Sequence, residues 1–248
     1  TYLAAFDSKK YQRVLFVAHR EEILKQAAVS FKNVRNSDDY GFFYGGEKTW
    51  DKSVIFASVA TLGRQEYLTA KYFVPDYFDY IVVDEVHHGG AKSYQTLINY
   101  FTPKFLLGMT ATPERGDNFD IYKLFDNNIA YEIRLHDALK EELLCPFHYF
   151  GISDIEIDGE LINEKSAIKK LTASERVNHI LEKSRFYGYS GEKLHGLIFV
   201  SRVEEAQLLR EKFQERGVKC EALIGDDSDE KRERTITQLE NGEIDYII

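Results

Sequence analysis

The chain has 248 residues, 44% of them hydrophobic, and a formal net charge of −9. That is enough apolar content for one large or two medium domains, and too acidic for a globally basic nucleic-acid binder, although a local basic groove remains compatible with it. Two distant cysteines, Cys145 and Cys220, exclude a disulfide framework and point to a reducing compartment, the cytoplasm. No apolar run approaches the roughly 20 residues that span a bilayer, and no secretory signal is present, so no membrane partner is expected. The ends, TYLAAF and DYII, read as cut from something longer.

In chain order, RVLFVA (13–18) reads as a buried strand. Arg20 to Phe31 follows with Ile23, Leu24, Ala27 and Phe31 at helical spacing. YGGEKTW (44–50) reads as a loop after no clear buried strand. VIFASV (54–59) and YIVVD (80–84) are further strands. Ser93 to Phe101 places Tyr94, Leu97, Ile98 and Phe101 on one helical face, and KFLLGM (104–109) is the next strand. Strands apolar on both faces, separated by helices, predict a parallel sheet covered on both sides. The same grammar resumes at GLIFV (196–200). Ser201 to Glu204 has the capping-box pattern before a helix carrying Val203, Ala206, Leu209 and Phe213. Gly217 ends that helix, KCEALI (219–224) is a strand, Asp227 to Glu240 is a helix closed by Gly242, and DYII opens another strand. The prediction is therefore two α/β domains, 1–144 and 145–248. A helical insertion is placed at about 153–195, where Thr172–Glu175 starts a helix burying Val177, Ile180 and Leu181.

Ligands of open parallel sheets sit beyond the carboxyl ends of the strands, which is where Asp84 and Glu85 fall. One carboxylate there can hold Mg²⁺, partly through water, while its neighbour takes a proton from an attacking water. A solvated acidic pair after a strand is the competing reading. His87 and His88 are adjacent, whereas His-Glu-x-x-His zinc sites need histidines one helical turn apart. The next strand ends in GMTATPER (108–115), which puts the hydroxyls of Thr110 and Thr112 within reach of Glu85 or His87.

DEVHH followed by LLGMTATPER resembles a superfamily 2 helicase or translocase of the DExH type. LFVAHREEIL (15–24), FASVATLG (56–63) and GLIFVSRVEEAQLL (196–209) are similar to further motifs of that family. The likeness covers nearly the whole chain and is strongest to the bacterial type III restriction-like (ResIII) DEAD/DEAH-box group, which includes long proteins with an N-terminal nuclease domain.

The resemblance implies two RecA-like parallel-sheet domains in tandem, the first lacking its P-loop strand and the second truncated at its C-terminus. It implies ATP and Mg²⁺ as cofactors and DNA, duplex rather than RNA, as partner, with nuclease or other domains in the same parent chain. Asp84 would bind Mg²⁺ and Glu85 would be the general base. His87 would couple the nucleotide site to the second domain, and Thr110 and Thr112 would link hydrolysis to movement. His19, Arg20, Thr61, Gly63, Ser201 and Arg202 would lie near the nucleic-acid backbone; their plain readings are helix starts or turns. Thr1 would be the threonine of a P-loop Gly-Lys-Thr triplet. No G-x-x-x-x-G-K-[ST] segment occurs in the chain. In YGGEKTW, Glu47 stands where the last glycine belongs, and its carboxylate would repel phosphate. The expected function is an ATP-dependent helicase or translocase in the parent protein, acting in restriction or DNA repair, with this fragment inactive alone. The alternatives are a non-catalytic RecA-like module that binds nucleic acid or protein, and a metal hydrolase using Asp84, Glu85, His87 and His88.

Overall fold

The computed structural model describes residues 1–113 and 120–248. It divides into two compact units, Thr1–Cys145 and Pro146–Ile248. The first contains α1 (Tyr2–Asp7), β1 (Val14–Ala18), α2 (Glu21–Arg35), β2 (Tyr40–Tyr44), β3 (Glu47–Lys48), β4 (Val54–Ser58), α3 (Val59–Leu62), β5 (Tyr80–Asp84), α4 (Lys92–Tyr100), β6 (Phe105–Met109) and α5 (Leu135–Lys140). The second contains β7 (Glu156–Ile157), β8 (Glu160–Leu161), α6 (Ile168–Leu171), α7 (Ser174–Tyr187), β9 (Gly196–Leu197), α8 (Val203–Gln214), β10 (Cys220–Glu221), α9 (Asp229–Glu240) and β11 (Tyr246–Ile247).

The sheet of the first unit runs β3-β2-β4-β1-β5-β6. Every pairing in it is parallel except β2 with β3. The central strands β1 and β4 are buried at every residue, because both faces of the sheet are covered. Their side chains alternate between two cores. Val14, Phe16 and Ala18 join Val54 and Phe56 under α1 and α2. Leu15 and Val17 join Ile55 and Ala57 on the opposite face, under Tyr94 and Leu97 of α4. Phe16 is at the centre of the first core, with Phe31 at 5.7 Å and Phe56 at 5.8 Å between ring centroids.

Strand β2 was missed in the sequence. Its residues alternate between half-buried aromatics and the buried Gly41 and Phe43, so it lacks the continuous apolar run of its neighbours. YGGEKTW thus does follow a strand, and Gly45, at φ +47, turns the β2–β3 hairpin. The helix predicted to Phe31 continues to Arg35 and stops where Asn36 takes a left-handed φ of 52°.

In the second unit the sheet β10-β11-β9 is parallel. Val177 and Leu181 of α7 pack with Ala206, Leu209 and Phe213 of α8 over Cys220 and Tyr246. The long strands read at 196–200 and 219–224 pair over only two residues each. Strand β9 has a partner on one side only, and Phe199 beyond it is 89% exposed. The capping box at Ser201 does not form: Arg202 is the N-cap residue, and no side chain caps the helix. Helix α9 begins at Asp229, two residues later than read, because the Ser228 side chain accepts from the Lys231 N–H. The segment at 153–195 is not wholly helical, since it opens with the β7–β8 hairpin. Gly217 and Gly242 take positive φ of 75° and 69°, where a Cβ would be strained.

Replacing Phe16 by Ala removes a ring with no solvent exposure. The expected cost is about 3–5 kcal/mol, read as a lower urea midpoint at unchanged m-value for the first unit's transition.

Candidate active site

A parallel sheet brings the carboxyl ends of all its strands to one edge. In spatial order this edge carries Ser58 and Thr61 after β4, His19 and Arg20 after β1, Asp84 to His88 after β5, and Thr110 after β6. Asp84 is the last residue of its strand and half-buried. Glu85 then takes a left-handed backbone conformation, φ 49° and ψ 46°. A non-glycine residue rarely adopts this conformation, and it persists only where its surroundings enforce it. The turn sends the two carboxylates in different directions, while the Glu85 N–H donates to Asp84 Oδ1 at 3.0 Å. A short 3-10 turn, Val86–His88, follows.

His87 Nδ1 lies 3.0 Å from Glu85 Oε2 and 3.0 Å from Thr110 Oγ1. A carboxylate only accepts, so the ring donates from Nδ1 to Glu85. Thr110 Oγ1 also accepts the Thr112 N–H at 3.0 Å. The structure thus strings Glu85, His87, Thr110 and the Thr112 backbone into one polar chain across two neighbouring strands. Thr112 takes part through its amide, and its residue is exposed. The last two residues of GMTATPER, Glu114 and Arg115, lie outside the described residues.

Burial is the largest influence on Asp84 and pushes its carboxyl above the ordinary range. The Glu85 charge acts in the same direction. The Glu85 N–H and the charge at His19 oppose it. Asp84, a half-buried carboxylate at the strand end, fits a divalent cation such as Mg²⁺, which is commonly held by one or two carboxylates plus waters and phosphates. Among the described residues there is no cluster of three or more His, Cys, Asp or Glu able to hold a metal. The imidazoles line the edge instead, His87 and His88 tilted with ring centroids 4.1 Å apart, and His88 and His19 edge-on at 5.3 Å.

The remaining sequence-derived residues divide. His19 and Arg20 are exposed beside the site. Thr61 is buried, and its hydroxyl and N–H both engage Ser58 Oγ, so only its backbone neighbourhood, with Gly63, faces outward. Gly63 is required sterically: a Cβ there would stand 2.7 Å from the Val59 carbonyl oxygen and 2.9 Å from that of Ser93. In the second unit Ser201 is exposed. Arg202 donates to the carbonyls of Ser166 at 3.1 Å and Glu164 at 3.2 Å, so its guanidinium is engaged within its own unit. The loop YGGEKTW forms no phosphate cradle: no helix follows it, and Lys48 Nζ folds back onto the Gly45 carbonyl.

The family model for "Type III restriction enzyme, res subunit" matches residues 1–115, which span the whole polar chain. These residues resemble the res subunit of the type III restriction-like group of superfamily 2. A Saccharomyces cerevisiae protein named as an ATP-dependent helicase, IRC3, is 24% identical over 94% of this chain and 35% of its own length. The type I restriction enzyme EcoAI endonuclease subunit of Escherichia coli is 26% identical over 61% of this chain and 19% of its own. The chain thus spans well under two thirds of these curated relatives. The solved structure of S. cerevisiae Dbp5 bound to RNA and ADP BeF3 superposes with a TM-score of 0.56 at 14% identity, over 100% of this chain and 60% of that one. At that identity the likeness is one of fold, and the fold is RecA-like.

A raised Asp84 pKa has a stability consequence. Between the ordinary unfolded value near 3.9 and the higher folded one, the native state binds more protons than the unfolded state. Stability is therefore lost as pH rises through that window. Without nucleotide or metal, Asp84→Asn is expected to melt higher than wild type at pH 7. The gap should close towards pH 3–4, read by thermal melts across a pH series.

Proposed function

We propose that the chain is the core of an ATP-dependent superfamily 2 motor that couples ATP hydrolysis to movement on nucleic acid. The observation carrying this reading is the polar chain from Glu85 through His87 to Thr110 and the Thr112 amide. A solvated acidic pair would have no need of it. Asp84 holds Mg²⁺, which when bound draws charge from the nucleotide's phosphates. Glu85 takes the proton of the attacking water, and its carboxylate is aimed for this by the left-handed turn and the His87 ring. His87 and Thr110 join the base to the neighbouring strand end, so a shift of either strand end reorients Glu85. His19, Arg20, Gly63 and the backbone at Thr61 supply the nucleic-acid side of the same edge, and Ser201 is a separate nucleic-acid contact of the second unit. Arg202 would first have to leave the carbonyls of Glu164 and Ser166.

Duplex DNA is the proposed track, supported by the restriction-enzyme family model and the EcoAI likeness. The same likeness supports a nuclease or other domain acting in the same protein. Thr1 is assigned to the Mg²⁺ shell as the threonine of a Gly-Lys-Thr triplet, on the motif resemblance alone. These 248 residues contain no Gly-x-x-x-x-Gly-Lys phosphate cradle, so on their own they are proposed to bind ATP poorly and to turn it over at no useful rate. Cytoplasmic placement is supported by two unpaired cysteines; among the described residues, no helix is long and apolar enough to cross a membrane.

The test is steady-state ATPase activity of the full-length gene product, with and without duplex DNA, beside its Glu85→Gln variant. DNA should stimulate turnover, and the variant should lose about 10²–10⁴-fold of it. Absence of turnover with any nucleic acid would turn the reading towards a binding module built on a motor fold.

A further inference from the structure

The second unit contains a cavity that the motor reading does not use. It has a volume of about 460 Å³, and Arg185, Lys193, Arg216 and Asp245 line it together with apolar side chains such as Leu181 and Leu194. Its place in the fold follows from Leu194, Val218 and Asp245, which lie just ahead of β9, β10 and β11. These strands are parallel, so the cavity opens at their amino ends, while Ser201 follows β9 on the carboxyl side.

Three cations meet at this cavity with little to neutralise them. Arg216 is held in place: its Nε donates to Asn178 Oδ1 at 2.7 Å and its Nη1 to the Lys212 carbonyl at 2.8 Å. Its Nη2 has no hydrogen-bond partner among the described residues. Glu215 comes only to 3.9 Å of this guanidinium and is 64% exposed, a pairing that water screens. Lys193 lies across Gly242, where an added Cβ would stand 2.5 Å from its Cδ. It gives one hydrogen bond to the Asn241 carbonyl at 2.9 Å, which leaves the ammonium further donors. Arg185 stands one helical turn after Leu181 on α7. Asp245 accepts the Lys219 N–H at 3.1 Å. Among the described residues, none of the three cations forms an ion pair with it.

A concave site lined by one sign of charge concentrates the opposite sign, even in a chain whose net charge is −9. Counting Asp245, the lining keeps two positive charges, which matches the roughly −1.5 to −2 of a phosphomonoester at neutral pH. A phosphodiester carries only one negative charge and matches it less well. Guanidinium forks suit phosphate oxygens. Tyr189, which also lines the cavity, is 58% exposed and offers a ring on which a base can stack.

We propose that this cavity binds a phosphomonoester borne by a nucleotide, either free or as the phosphorylated end of a nucleic-acid strand. It is a second site, remote in the sheet from Ser201, and it does not depend on the carboxylates of the first unit.

Two probes titrated into this chain test the assignment. One is thymidine 5′-monophosphate, followed by broadening of its phosphorus NMR line. The other is a short single-stranded oligodeoxynucleotide, fluorescein-labelled at its 3′ end and carrying either a 5′-phosphate or a 5′-hydroxyl, followed by anisotropy. Wild type is compared with the double variant Arg185→Gln/Lys193→Gln, whose side chains are exposed, so its melting temperature should be unchanged. The wild type should favour the 5′-phosphate, and the double variant should bind it at least about 10-fold more weakly, as expected for lost charge-assisted hydrogen bonds, and lose the preference. Broadening of the free nucleotide would support the site with a small molecule as its source. A preference seen only with the oligonucleotide would support it with a strand end. Equal affinity for both ends without broadening of the free nucleotide, or a phosphate preference that survives in the double variant, would overturn the proposal. Neither result bears on the ATPase test of the motor reading.

Discussion

The chemistry of the first unit depends on the two ends of a parallel sheet being unlike. With β2, β4, β1, β5 and β6 all running the same way, every strand delivers its last residue to one edge. Residues as far apart in sequence as His19, Asp84 and Thr110 become neighbours there without any long loop. The apolar strands provide the driving force, because each side chain of β1 and β4 is sealed between two helical layers. The polar edge is the by-product of that packing, and it is the only part of these strands where a carboxylate can remain hydrated.

Within that edge, the left-handed backbone at Glu85 decides the rest. It costs of order 1–3 kcal/mol in isolation, and the surroundings hold it through the Asp84 cap and the His87 contact. An extended backbone there would have continued the strand and sent Glu85 to the opposite face from Asp84. The turn instead keeps both carboxylates at the strand end and gives them separate neighbours. Asp84 is raised by burial, while Glu85 is tied to an imidazole. Such a division of labour between adjacent like residues is set by environment rather than residue type.

The second unit shows how an apparent motif residue can serve its own fold. Arg202 lies at the start of α8, where the sequence suggested a contact with nucleic acid. It holds the turn after the β7–β8 hairpin through two backbone carbonyls. Nearby, Arg176 bridges Asp154 at 2.8 Å and the buried Glu205 at 3.3 Å, a pairing that offsets the cost of burying the Glu205 side chain. These two arginines fasten the segment before α7 to α8, and they give residues 153–171 a structural role that no pattern in the sequence announced.

The sequence alone determined the elements whose signal is local. The unbroken apolar runs of β1, β4, β5 and β6, the helical stripes of α2, α4 and α8, and the position of Asp84 and Glu85 at a strand end all follow from side-chain period and strand polarity. Strand β2 escaped because its burial alternates, and the cap of α8 was misplaced because Arg202 found partners distant in sequence. Only the tertiary structure decided which atoms meet. That Thr110 presents its hydroxyl oxygen to the His87 ring N–H while Thr112 offers an amide, and that Thr61 turns inward to Ser58, both depend on register and burial. Those are properties of strands and helices packed together, and a linear pattern does not contain them.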